Sequence, residues 1–62
     1  MPDFKIQNEG SILLFRPLTD AACEWLKENV QEGAQWFGDA LVVEHRYAGD
    51  LAVGMVNAGL RP

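Results

Sequence analysis

Few residues in this chain have the types and spacing that chemistry needs. Glu44, His45 and Arg46 stand in a row, and an imidazole beside a carboxylate is the raw material of acid–base catalysis. The run lies at the end of a strand-like segment, where neighbouring side chains point to opposite faces and cannot cooperate. No nucleophile setting of the Gly-x-Ser-x-Gly kind accompanies it. The expectation is a chain that is not an enzyme and has no catalytic residue. Cys23 and His45 are the only cysteine and the only histidine. A closed zinc site takes four ligands, so neither a metal nor any other cofactor is expected. Cys23 lies near a helix start, where a thiol pKa falls. Its place on an apolar face instead suits a small residue filling a helix–sheet interface.

Two binding chemistries remain. Arg16 and His45 fall on equivalent places when the sequence is shifted by 29 residues, each just before a predicted helix, with Arg46 alongside. Helix N-termini attract anions, so Arg16, His45 and Arg46 make a candidate small-anion or nucleotide site. No Gly-rich loop supports it, and pairing with Asp20 or Asp50 accounts for these charges equally well. The second chemistry is apolar. Trp36 and Phe37 are adjacent, and in an extended segment one points inward and the other outward. An outward aromatic anchors interfaces, although the pair could instead cap the ends of a thin core. Val53 and Val56 lie on a helix that is apolar around most of its circumference. Such a helix has more apolar surface than a small sheet and one other helix can cover. Gly49, Ala52 and Gly54 would permit close backbone approach there. Trp36, Phe37, Val53 and Val56 are therefore the candidate partner-binding residues, with packing of the two valines on the first helix as the alternative.

The elements that position these residues follow from pattern. Phe4-Lys5-Ile6-Gln7 alternates like a strand with one wet face, Asn8-Glu9-Gly10 turns, and Ser11 to Phe15 is apolar on both faces. This predicts a hairpin over residues 3–16, with a central strand that Pro17 ends. Thr19 is a predicted N-cap and Leu18 with Cys23 a predicted hydrophobic staple. A helix follows from Asp20 to Gln31, stopped by Gly33. Gly38-Asp39 reads as a two-residue turn between a short strand at Trp36 and a β-branched strand from Ala40 to His45. A second helix is predicted from Tyr47 or Ala48 to Ala58, with Gly59 as its stop and Leu60 folding back. The shift of 29 lays Ile12-Leu13-Leu14 on Leu41-Val42-Val43. The fold class is α+β: an antiparallel sheet of three or four strands with both helices on one face, as two ββα units.

Sixty-two residues allow one domain, residues 1–62. A chain of that size buries only about 60% of its unfolded surface, so its core is marginal. With one cysteine and no metal site, the remaining support is a protein partner or a second copy, and a homodimer is expected. Nine acids against five bases give a net charge of −4, without the basic stripe that nucleic-acid binding requires. The longest aliphatic run is too short to span a bilayer, so no membrane partner is expected. The lone cysteine fits a reducing compartment, the cytoplasm.

The run Phe15-Arg16-Pro17-Leu18-Thr19, then Trp25-Leu26, then Trp36-Phe37-Gly38-Asp39-Ala40-Leu41-Val42-Val43-Glu44-His45-Arg46-Tyr47, resembles short uncharacterised proteins of bacterial and phage genomes. The resemblance implies a free-standing small domain in an accessory or modulatory role, and it carries no functional residue.

Overall fold

A computed structural model describes residues 1–30 and 33–62. The chain runs β1 (Phe4–Asn8), β2 (Ile12–Pro17), α1 (Asp20–Asn29), β3 (Trp36–Phe37), β4 (Ala40–Glu44) and α2 (His45–Asn57). The four strands form one antiparallel sheet in the order β1-β2-β4-β3. The fold is α+β, built as two ββα units whose second strands meet at the centre.

Local chemistry explains most boundaries. Gly10 takes φ +89° in the β1–β2 turn, where its N–H donates to Asn8 Oδ1 at 2.8 Å. Thr19 Oγ1 accepts from the Ala22 N–H at 3.2 Å and caps α1. At the end of α2, Gly59 at φ +92° lets Leu60 N–H reach back to Met55 O at 3.0 Å, and Leu60 is buried. That is a Schellman closure with its apolar contact.

Cross-strand register sorts the side chains. Leu13 faces Val43, and Phe15 faces Leu41 and Ile6, all on the face that the helices cover. There Phe4, Phe15, Leu41 and Val43 meet Ala22 and Leu26 of α1 and Ala48 and Met55 of α2. The rings of Phe4 and Phe15 stack with centroids 6.3 Å apart. Ile12, Leu14 and Val42 stand on the opposite face, where Leu14 is buried and Ile12 and Val42 are half-buried. The central strand is thus apolar on both faces, as its sequence says, and buries a side chain on each.

Several expectations need correction. The 29-residue shift lays Leu13, under the helices, on Val42, which faces away. A one-residue slip reverses every side chain of a strand, so the two units share an architecture but not that register. Helix α1 ends at Asn29, and the Gln31 end expected for it lies outside the described residues. Helix α2 begins at His45, directly after β4, with Glu44 as an N-cap that makes no side-chain capping bond. His45 and Arg46 are therefore helical rather than part of a strand. Leu18 is about half exposed and borders Phe4, Ile6 and Pro62, whereas Cys23 borders Lys27 and Trp36.

One acidic residue joins three parts of the chain. Asp3 Oδ1 accepts from Thr19 Oγ1 at 3.0 Å, and Asp3 Oδ2 accepts from the Arg61 N–H at 2.9 Å. Its backbone N–H donates to Arg61 O and its carbonyl accepts from Leu18 N–H, both at 2.7 Å. The start of β1, the β2–α1 joint and the C-terminal segment are held at one point. Replacing Asp3 by Ala removes two side-chain hydrogen bonds to a charged acceptor and should lower stability by about 1–3 kcal/mol. A urea titration measures this as a lower midpoint with an unchanged slope; an unmoved midpoint contradicts the role given to Asp3.

Candidate functional site

The two helices meet where a large ring needs a residue without a side chain. Trp25 of α1 lies over Gly54 of α2, so that a Cβ placed at Gly54 would stand 3.3 Å from Trp25 Cη2. This contact fixes the rotation of α2. Residues on a helix turn by about 100° each, which puts Val53 about 100° and Val56 about 160° round from Gly54, on the same side. Both valines therefore face away from α1. They are 59% and 52% exposed, and the alternative in which they pack on the first helix does not hold. Gly49, four residues before Val53, extends the same row, and a Cβ there would meet open space. On the edge strand β1, Ile6 points to the helix-covered face and is 39% exposed.

The four candidate partner-binding residues do not form one surface. Trp36 pairs with Leu41 on the helix-covered face, whereas Phe37 pairs with the buried Ala40 on the opposite face and is 69% exposed. They stand on β3 at one edge of the sheet, while β1 forms the other. The chain leaving α2 is fastened to β1, where Arg61 O accepts from Asp3 and Phe4 N–H. Val53 and Val56 thus belong to a different part of the molecule from the aromatic pair.

The candidate anion-binding residues do not converge either. His45 Nε2 lies 2.7 Å from Gly10 O, at the β1–β2 turn. Arg46 Nη2 lies 3.5 Å from Glu44 Oε2, and its guanidinium carbon is 4.8 Å from the Tyr47 ring centroid. Arg16 is on β2 four residues beyond Ile12, the cross-strand partner of Glu44, and so about 13 Å along the strand from this cluster. Neither Asp20 nor Asp50 is the partner of these bases. Among the described residues, no group of three His, Cys, Asp or Glu side chains is placed to hold a metal ion, and no helix is long and apolar enough to cross a membrane.

Two grooves flank α1. In the first, about 510 Å³, Cys23 and Lys27 face Trp36 and the Gly38-Asp39 turn. Cys23 is half-buried there, lining an opening instead of filling the helix–sheet interface. In the second, about 530 Å³, Trp25, Asn29 and Val30 face Tyr47, Asp50 and Leu51 across a floor formed by β4. Sequence reasoning placed Trp25, Tyr47 and Asp50 on their helices but did not bring them together. The available signal was the pairing of one large ring with one mid-helix glycine, which has meaning only once the two helices are known to cross. No family model, curated protein or solved structure matches this chain.

Gly54→Leu forces bulk beneath Trp25 and should cost about 1–3 kcal/mol by overpacking. In a Trp36→Phe background the emission of the remaining Trp25 should move to longer wavelength as its ring is displaced. A variant as stable as its parent, with unshifted emission, contradicts the tight helix contact.

Proposed function

We infer that this domain is a non-enzymatic protein-interaction module that acts by occupying a surface, and that it self-associates through the outer flank of α2. The observation that carries the reading is the row Gly49, Val53 and Val56. Two valines at helical spacing stand more than half exposed on a helix whose Ala48, Leu51, Ala52 and Met55 are used in the core. Burying an aliphatic side chain of this size from water contributes about 1.5–3 kcal/mol, an appreciable sum for a small domain. The half-exposed Ile6 adds to the apolar area on that side of the sheet.

A second copy is the partner that the row fits best. A two-fold contact uses one self-complementary patch, and a row with Gly at one end and Val at the other lets each copy's valines approach the other's glycine. The need is physical too. The domain is small, and one cysteine provides no disulfide. Placed beside the core of such a domain, a symmetric contact adds a second apolar layer. The exposed Phe37 on the opposite edge remains as a separate contact for a different protein, in an accessory or modulatory role within a reducing compartment such as the cytoplasm.

Val56→Asp should convert the protein to a monomer while leaving the protomer folded, because Val56 is half-exposed in the single chain. Sedimentation across a wide concentration range should show wild-type dimer and variant monomer, and the wild-type melting temperature should rise with concentration. A wild type that stays monomeric at high micromolar concentration, with a concentration-independent melt, overturns the self-association.

A further inference from the structure

We propose that the groove between α1 and α2 is a binding site for an organic cation with an apolar body, such as an arylalkylammonium. The site does not depend on self-association, since it lies on the flank of α2 opposite Val56. Its volume, about 530 Å³, falls in the range of small-molecule sites.

The lining is complementary to that ligand in three respects. Its floor and one wall are apolar, from Leu41, Val43 and Leu51. Trp25 supplies an aromatic ring on one wall, and ring faces attract cations, while the Tyr47 ring on the opposing helix already carries the Arg46 guanidinium. Its polar side chains are mainly acceptors. Asp50 and Glu44 supply carboxylates, and among the described residues no Lys, Arg or His lines the groove. Asn29 Nδ2 donates to Trp25 O at 2.9 Å, and among the described residues nothing donates to Asn29 Oδ1.

The chain itself displays the chemistry at the rim. Arg46 places its guanidinium over Tyr47 and its Nη2 3.5 Å from Glu44 Oε2, which is how an incoming cation would engage a ring and a carboxylate together. Glu44 and the Tyr47 ring are therefore already engaged. Asp50, one turn along α2 from Tyr47, makes no ion pair among the described residues, so it is the carboxylate that meets the ligand. This preference is opposite in sign to the alternative anion site of Arg16, His45 and Arg46.

The test is an NMR titration of the whole domain with phenethylammonium, against phenethyl alcohol and phenylacetate as neutral and anionic probes. Saturable shifts should centre on the Trp25 indole, Asn29 and Leu51 for the ammonium, with weaker binding of the alcohol and none of the acetate. Asp50→Asn, which preserves shape at an exposed site, should weaken the ammonium about fivefold and leave the alcohol unchanged. Shifts that do not saturate, equal affinity for ammonium and alcohol, or shifts centred on Val53 and Val56 would each overturn the proposal.

Discussion

The contact of the Trp25 ring with Gly54 is the constraint from which the rest of this molecule's surface follows. Two helices lie side by side on the sheet, and the Trp25 ring comes so close to α2 that a Cβ at Gly54 would stand 3.3 Å from it, tighter than ordinary van der Waals contact. Once the ring is seated, α2 has no freedom to rotate. Ala48 and Met55 face the sheet, and Val53 and Val56 face outward. The same wedge leaves Trp25, Asn29, Tyr47 and Asp50 around an open groove. One glycine thus determines both the apolar flank and the polar groove on opposite sides of a single helix.

Much of the fold was legible because its signals are local. Thr19 caps, Gly10 and Gly38 turn with positive φ, Gly59 closes α2, and alternation marks β1. These depend on a few neighbouring residues and on backbone sterics that do not change with tertiary context. The start of α2 was not legible for the same reason. Glu44 makes no capping bond, so nothing in the sequence marks the change from β4 to helix at His45. The register of the proposed internal repeat failed because Ile12-Leu13-Leu14 and Leu41-Val42-Val43 are uniformly apolar. A uniform run carries no alternation, and its facing is decided by strand pairing across the sheet.

The site was legible only in part. The exposure of Val53 and Val56 could be anticipated from an excess of apolar residues over available cover, which is an argument about area. The grouping of Trp36, Phe37, Val53 and Val56 could not, since it depends on which edge of the sheet each element reaches. The strand order β1-β2-β4-β3 sends β3 to one edge and fastens the end of α2 to β1 at the other, through Asp3 and Arg61. The same topology separates Arg16 from His45 and Arg46. Charges that look adjacent under a sequence shift lie at opposite ends of a strand.

Intermolecular NOEs in a mixed sample of isotope-labelled and unlabelled protein test directly the proposal that two copies meet at the outer flank of α2. NOEs are expected from the Val53 and Val56 methyl groups of one copy to the Gly49–Val56 row of the other. NOEs confined to Phe37 and its face of the sheet, or a dimer with none from either valine, would contradict it.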